Sequence, residues 1–167
     1  EYSMSTLEVK AIQAPTGYNL QMPAGHILQV VSTTESTSYS TTTSDFSARA
    51  TGLSATITPS STSSKILVTI NANVGFQYDN TYAKTAIYRS ISGGASTNNL
   101  TGESGGFGNI GAGAYQFSNT ISYLDSPSST SAITYSLTFA YSAGGVGTVY
   151  IGANDGSSTI TVMEVAG

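Results

Sequence analysis

The chain has 167 residues, of which only 8% are charged, and a net charge of −4. Its five basic residues are scattered and form no basic stripe, which argues against binding of nucleic acid. The absence of cysteine excludes disulfides and thiolate metal sites. No apolar run approaches the roughly 18 residues needed to span a bilayer, so we expect no insertion into a membrane.

The composition favours a folded domain made of strands. Ser and Thr make up about 31% of the residues and supply polarity that charged residues provide in most globular chains. Apolar residues still amount to 39%, enough for a core. Thr, Val, Ile and Tyr favour strands, and helix-forming residues at a 3.6-residue period are scarce. We therefore expect an all-β domain.

The first 25 residues differ from the rest of the chain. Leu7, Val9 and Ala11 share one face of a short strand predicted over residues 5–13. Two breaks that contain Pro and Gly follow this strand. Because so short a strand cannot bury its own apolar face, we interpret residues 1–25 as a stem or attachment segment that packs against another chain.

Residues 26–34 predict the first strong strand. Ile27 and Val31 face one way along it, and Leu28 and Val30 face the other. Apolar residues on both faces indicate burial on both sides. We expect the second of these faces to form a contact between subunits.

The longest sustained alternation lies within residues 53–74. Its second strand places five apolar residues on one face: Ile66, Val68, Ile70, Ala72 and Val74. Pro59 cannot donate to a ladder, so we expect a loop from Pro59 to Ser64 that joins the two strands of a central hairpin. Upstream, the polar residues 35–44 predict a loop that leads into an edge strand around Phe46.

Two stretches rich in aromatic residues and glycine follow the hairpin. Residues 75–82 predict a loop with three aromatic side chains, and residues 84–91 predict a strand. Residues 92–114 contain eight of the eighteen glycines, which gives their backbone high conformational freedom. We interpret them as a long exposed excursion, and such loops usually carry function.

Residues 26–167 together predict eight to ten strands. Further strands are indicated at residues 115–124, 132–141, 146–151 and 159–165, with short turns between them. The second of these has the cleanest alternation, with one face formed by Ile133, Tyr135, Leu137, Phe139 and Tyr141. This spacing is typical of an all-β sandwich. We expect a jelly-roll-like order of strands, preceded by the short N-terminal strand or stem segment.

The aromatic loops are the best candidates for recognition. Tyr, Asn, Ser and Gly on loops offer flat stacking area and adaptable hydrogen bonds to glycans or proteins. The candidate residues are Phe76, Tyr78, Asp79, Asn80, Tyr82, Phe107, Asn109 and Tyr115. The alternative is that these aromatic side chains pack into the core or into an interface between subunits.

The sequence contains no catalytic or metal signature. His26 is the only histidine and no nucleophile elbow accompanies it, so we predict neither a catalytic triad nor a histidine metal site. The nine carboxylates are dispersed and favour no glycosidase pair. Asp79 and Asp155 lie in polar turns that suit calcium, although turn formation is the commoner role of such residues. We expect no cofactor.

Five blocks of framework sequence stand out, the longest being TGLSATITPSSTSSKILV at residues 51–68. The others are MSTLEVKAIQ at 4–13, PAGHILQVV at 23–31, LDSP at 124–127 and STITVMEV at 158–165. In their order and spacing these blocks resemble the small fibre and tail-appendage proteins of marine bacteriophages. Residues 75–117 resemble nothing in that family.

The resemblance implies a homotrimeric component of the virion surface, joined to other virion proteins through its N-terminal segment. A surface glycan or protein of the host is the implied partner. The first hypothesis is therefore a non-enzymatic tail or capsid fibre that attaches through exposed loops. The second is a capsid decoration or structural collar protein, and the third is a glycan-degrading depolymerase.

Overall fold

The computed structural model describes residues 23–77, 82–101, 106–107, 115–142, 147–152 and 156–167. The strands are β1 Ile27–Glu35, β2 Tyr39–Thr41, β3 Ala48–Ile57, β4 Lys65–Gln77, β5 Tyr82–Ile91, β6 Ser96–Thr97, β7 Gly106–Phe107, β8 Tyr115–Asp125, β9 Ile133–Ser142, β10 Thr148–Ile151 and β11 Ser158–Val165. In this part of the chain no helix is long and apolar enough to cross a membrane. The division of the chain at residue 25 stays a prediction.

The strands form two antiparallel sheets, which we name sheet I and sheet II. In sheet I, β1, β11, β4 and β8 lie side by side in that order, and β10 with β2 continues beside the second half of β4. In sheet II the order is β3, β9 and β5, and the short strands β6 and β7 both pair with β5. The predicted all-β sandwich is confirmed.

The order of pairing is that of a jelly roll. β1 pairs with β11, β3 with β9, β4 with β8, and β5 with β6 and β7, so early strands pair with late ones throughout. With β2 and β10, which pair in sheet I, counted as continuations of β1 and β11, successive pairs alternate between sheet I and sheet II. A long antiparallel ribbon wound into a sandwich has this pairing order, and each half of the winding is a Greek key.

The core lies between the sheets and consists of alternating side chains. On β4 the five apolar residues predicted to share a face are each at most 1% exposed: Ile66, Val68, Ile70, Ala72 and Val74. Sheet II contributes Tyr135, Leu137 and Phe139 from β9 to the same cluster. Period-two alternation therefore located the buried faces of both central strands correctly.

The predicted central hairpin of residues 53–74 is wrong. Ile57 pairs with Ile133 in sheet II, whereas Ile66 pairs with Glu164 in sheet I. The connection between β3 and β4 therefore carries the chain from one sheet to the other. Alternation specifies which side chains are buried, but it does not specify which strand lies alongside.

Two further predictions need correction. Phe46 lies in a turn before β3 rather than in a strand, and the edge strand β2 comes earlier in the chain. The excursion at residues 92–114 is not exposed throughout, because β6 and β7 pair with β5 and Leu100 packs against the core. Pairing with a neighbouring strand compensates for the conformational freedom of the glycines there.

The facing of side chains on β1 also differs from the prediction. A register shift lies between Ile27 and Gln29, so the alternation is interrupted near the start of the strand. Val31 packs against the core, whereas Ile27 is 58% exposed. The side chains of Ile27, Leu28 and Val30 are all exposed in the isolated chain.

The two ends of the sandwich carry different parts of the chain. At the proximal end, the chain reaches the domain at Pro23, and β11 ends beside the start of β4. At the distal end, β2 and β4 end and β5 and β8 begin, so four connections between strands lie there. These connections are β2–β3, β4–β5, β7–β8 and β9–β10.

Candidate functional site

The distal end gathers the described members of the predicted recognition set, but all four lie in strands and not in loops. The loop predicted over residues 75–82 is therefore too long, because its first three residues belong to β4 and its last belongs to β5. Phe76 lies opposite Tyr115 in the ladder between β4 and β8. Phe107 lies opposite Ala83 in the ladder between β7 and β5, and Tyr82 begins β5 at the same end. Phe76 and Tyr115 are about forty positions apart in the sequence and meet because β4 pairs with β8.

The remaining candidates lie outside the described residues: Tyr78, Asp79, Asn80 and Asn109, together with Asp155, the second residue considered for calcium. The first four belong to the β4–β5 and β7–β8 connections, whose flanking strands meet at the distal end. The structure thus brings the anchoring strands together. A role of these residues in recognition stays a prediction.

The chain reaches the domain through a turn at the opposite, proximal end. The His26 N–H donates to the carbonyl of Pro23 at 3.3 Å, and Gly25 has a φ of +87°, as the third residue of a type II turn requires. The Gly25 N–H donates to the carbonyl of Ala166, and the Ala166 N–H donates to that of His26, both at 2.8 Å. The turn is therefore held against the end of β11, and His26 is part of it.

Glu164 is the centre of a buried hydrogen-bond network at the proximal end. It lies on β11 in the inward register of Val162 and is 0% exposed. Its Oε1 accepts hydrogen bonds from the backbone N–H of Ser60 at 2.7 Å, from the Ser60 hydroxyl at 2.6 Å and from the Ser64 hydroxyl at 2.7 Å. Its Oε2 accepts one from Nε2 of Gln29 at 2.6 Å. The network joins β1, β11 and the β3–β4 connection.

Burial and hydrogen bonding act in opposite directions on the pKa of Glu164. Loss of solvation raises this pKa, whereas the donors from Ser60, Gln29 and Ser64 lower it, and together they outweigh the burial. The pKa of Glu164 therefore lies below its ordinary value. At neutral pH the carboxylate is ionised and accepts hydrogen bonds only, which is the chemistry of a structural anchor.

A second buried carboxylate, Asp125, links the two sheets. It ends β8 and is 4% exposed. Arg89 on β5 donates from Nη1 to both oxygens of Asp125 at 2.8 and 2.9 Å, and the Tyr135 hydroxyl on β9 donates to Oδ2 at 2.7 Å. Burial, with the hydrogen bond to Asp125 and its charge, raises the pKa of Tyr135, so the phenol stays protonated as a donor.

The two buried carboxylates do not have the environment of a glycosidase pair. Glu164 and Asp125 lie opposite Ile66 from its two sides, so their backbones are two strand spacings, about 10 Å, apart. A hydrolytic pair must face a cleft with room for a sugar and a water molecule. Here each carboxylate oxygen accepts a hydrogen bond from the protein. These two buried carboxylates in the described part of the chain are therefore not the pair that the depolymerase hypothesis requires.

The other described carboxylates act in turns. Glu35 accepts a hydrogen bond from the backbone N–H of Thr37 at 2.7 Å, and Asp45 accepts one from the hydroxyl of Ser47 at 2.6 Å. Hydrogen bonds from the hydroxyl and the backbone N–H of Thr37 lower the pKa of Glu35, and those from the hydroxyl and the backbone N–H of Ser47 lower the pKa of Asp45. Among the residues for which coordinates are described, no three His, Asp or Glu side chains are grouped to hold a metal ion.

Sheet I exposes a row of apolar side chains on its outer face, which we call the apolar row. One residue comes from each of β1, β11, β4 and β8: Val30, Met163, Leu67 and Leu124. Val30 is 55% exposed and Leu124 is 48% exposed. The next row towards the distal end is hydroxylic: Ser32, Thr161, Thr69 and Ser122. Scattered apolar residues are ordinary on a surface, whereas a contiguous row indicates an interaction surface.

Neither buried carboxylate was predicted as such, although the sequence contains a signal for both. Glu164 continues the inward alternation of Val162, and Asp125 continues that of Ile121. A carboxylate in an inward register has to be paired or hydrogen-bonded. Gln29, the two serines of the β3–β4 connection and both carboxylates also fall within four of the five blocks that resemble phage appendage proteins.

No protein-family model and no curated protein matches the sequence. Among solved structures, a structure of the Gt strain of infectious bursal disease virus is similar, with 13% identity and a TM-score of 0.41 over 95% of this chain and 43% of that chain. The crystal structure of the VP2 subviral particle of that virus is similar as well, with 17% sequence identity and a TM-score of 0.38 over 83% of this chain and 37% of that chain.

T=1 particles derived from the same virus give 15% identity and a TM-score of 0.40, over 95% of this chain and 41% of that chain. The chain thus spans about two fifths of the length of these three chains. Likenesses at this level carry no argument about what the protein does.

Proposed function

We propose that the chain is a non-enzymatic structural protein of a virion surface, a tail or capsid fibre that attaches the particle to its host through the loops at the distal end. The polarity of the domain is the observation that carries this proposal. The chain joins the domain at Pro23, whereas the connections that follow Phe76 and precede Tyr115 leave from the other end. A domain held at one end and presenting loops at the other has the arrangement of an attachment tip.

The resemblance to phage fibre and appendage proteins supports the proposal at the level of the framework. The resembling blocks contain the residues of the Glu164 network and the Asp125 carboxylate, which hold strands in place. Residues 75–117, which include the β4–β5 and β7–β8 connections, lie outside the resembling blocks. A common framework with different loops is expected where each virus meets a different receptor. The proposal includes a homotrimer joined to other virion proteins through residues 1–25.

The test is binding of the dye-labelled full chain to bacterial strains and to a glycan array. We expect saturable binding that falls at least tenfold in a variant with Tyr78→Ser and Tyr82→Ser at the distal end. Thr62→Ala, in the exposed β3–β4 connection at the proximal end, is the matched control and should bind like the unmodified chain. Equal binding by both variants, or no binding to any strain or glycan, would contradict attachment through these loops.

Capsid decoration is the second candidate, and the apolar row of sheet I favours it, because that surface suits a protein partner. Decoration predicts no binding of the isolated chain to cells and saturable binding to particles that lack it. Light scattering tests the trimer in either case. A stable monomer at micromolar concentration would contradict the homotrimer.

A further inference from the structure

The outer face of sheet II carries a cation in contact with an aromatic ring. Arg49 on β3 lies opposite Thr138 on β9, and Tyr88 on β5 lies opposite Ser136 on the same strand. The guanidinium carbon of Arg49 is 4.3 Å from the centroid of the Tyr88 ring, which is a cation–π contact. Because β3 and β5 are two strand spacings, about 10 Å, apart, both side chains lean across β9 to meet. Ser136 faces outwards between them and is only 4% exposed.

The charge of Arg49 is not neutralised within the described part of the chain. The single ion pair there joins Arg89 to Asp125, and both of these side chains are largely buried. Arg49 is exposed instead, and no described carboxylate forms an ion pair with it. Its N–H donors are therefore available to an anion from outside the chain.

The strands around this contact add positive charge and hydroxyl groups. In the described strands of sheet II the outward positions carry two charged side chains, Arg49 and Lys84, and both are positive. On the proximal side of Ser136, the hydroxyls of Thr56 and Thr134 lie 2.8 Å apart, and Ser90 lies opposite Thr134. The local charge therefore favours an anionic ligand, and the neighbouring groups suit a ligand that has hydroxyls of its own.

The surroundings of the Tyr88 hydroxyl favour negative charge in the same way. A hydrogen bond from the hydroxyl of Ser90 and the positive charge of Arg49 lower the pKa of Tyr88, and their effect outweighs that of burial. A carboxylate beside this hydroxyl would gain from the same donor and the same charge.

The site has a rim on its distal side. The hydroxyl of Thr138 donates to the carbonyl oxygen of Asn98 at 2.8 Å, so the segment after β6 lies over β9 at this point. Thr138 is 0% exposed although it faces outwards. A ligand against Arg49 therefore has Asn98 on one side and the hydroxyls of Thr56 and Thr134 on the other.

We propose that this face of sheet II binds a carboxylate-bearing saccharide, with its carboxylate on Arg49 and its hydroxyls on the neighbouring Ser and Thr side chains. A guanidinium presents its N–H donors in a fork that matches a carboxylate. Contact with Tyr88 holds that fork in place before binding, so less side-chain entropy is lost. Nucleic acid fits this face less well, because two separate cations supply few phosphate contacts. The site is separate from the distal loops and goes beyond the attachment proposed for them.

Amide NMR of the full chain, titrated with trigalacturonate, tests this site. We expect saturable shifts that are largest at Arg49, Tyr88 and Ser136. The trimethyl ester of the same trisaccharide keeps the hydroxyls but has no charge, and it should cause no saturable shift. This comparison needs no variant, so it does not depend on the folding of an altered chain.

A matched pair of variants tests the role of Arg49. Arg49→Gln should weaken the binding of trigalacturonate about tenfold, as expected for the loss of one charge-assisted hydrogen bond. Lys65→Gln removes an exposed cation from the outer face of sheet I and is the control, which should bind like the unmodified chain.

Several results would overturn the proposal. These are no binding of trigalacturonate, equal binding of its trimethyl ester, an unchanged affinity in Arg49→Gln, and shifts confined to other parts of the chain. Binding of acetate or inorganic sulfate as tight as that of trigalacturonate would also overturn it, because the site would then hold any small anion.

The variant with Tyr78→Ser and Tyr82→Ser separates this site from attachment through the distal loops. It should bind trigalacturonate like the unmodified chain, even where it no longer attaches to cells. Loss of trigalacturonate binding in this variant would place the saccharide at the distal loops and would overturn the site on sheet II.

Discussion

Replacement of Glu164 by Gln measures what the buried carboxylate contributes to folding. Gln keeps the shape of the side chain, but one terminal oxygen becomes a donor. That nitrogen must face either Nε2 of Gln29 or the three donors of Ser60 and Ser64. If Gln29 turned its amide to accept, it would lose its own hydrogen bond to the carbonyl of Thr58 at 2.8 Å.

The expected loss follows from the kinds of bond involved. A hydrogen bond to a charged group contributes about 1.5–3 kcal/mol and a neutral one about 0.5–1.5 kcal/mol. In Glu164→Gln three charge-assisted bonds become neutral and the fourth is lost. We therefore expect the free energy of unfolding to fall by about 5 kcal/mol at pH 7, with about 1 kcal/mol from each of the three bonds and about 2 kcal/mol from the fourth, measured by urea unfolding with circular dichroism.

The effect should depend on pH in a definite direction. The folded pKa of Glu164 is lowered, so the stability that its carboxylate contributes is fully present above the ordinary pKa of 4.5 and is lost as the pH falls through the folded pKa. The gap between the two proteins should shrink below pH 4.5. Glu35→Gln, which removes a carboxylate whose hydrogen bonds come from the adjacent Ser36 and Thr37 in a turn, is the control and should change stability far less. A loss under about 1 kcal/mol at pH 7 would refute the reasoning, as would an equal gap at pH 3.5.

Two further substitutions test the framework. Asp125→Asn leaves the guanidinium of Arg89 without a charged partner. We expect the free energy of unfolding, measured in urea, to fall by about 3 kcal/mol. An unchanged free energy of unfolding would mean that the ion pair does not hold the sheets together. Gly152 and Gly93 have nearly the same φ, +71° and +73°. In Gly152→Ala the new Cβ would lie 2.8 Å from the carbonyl oxygen of Thr37, whereas in Gly93→Ala it would face open space. Gly152→Ala should therefore lower the melting temperature more, and equal shifts would exclude the steric contact as the cause.

Alternation along single strands located most of the core. Every second residue from Ile66 to Val74 on β4 and from Ile133 to Phe139 on β9 is buried as predicted, because a period of two depends only on local backbone geometry. The same pattern failed on β1, where the register shift after Ile27 has no marker in the sequence. Composition and periodicity were therefore sufficient for the fold class and for the inward faces of regular strands.

The candidate site was predictable only as a set of loops. Aromatic residues around Tyr78 and Phe107 marked stretches of unusual composition, but nothing in the sequence indicated that their flanking strands end at the same edge of the sandwich. That proximity depends on the pairing of β4 with β8 and of β5 with β7. The Glu164 network joins residues 100 to 135 positions apart, so no local pattern could have identified its donors.

The sequence by itself determined which side chains are apolar, how they alternate and where the chain has to turn, since these are properties of short stretches. It also placed Glu164 and Asp125 in inward registers, where a carboxylate requires partners. Only the tertiary structure decided which strands lie side by side, and so separated β3 from β4 and supplied both carboxylates with donors. Strand pairing and the desolvation of side chains depend on segments that meet only after the chain has folded. A local sequence pattern therefore cannot specify either of them.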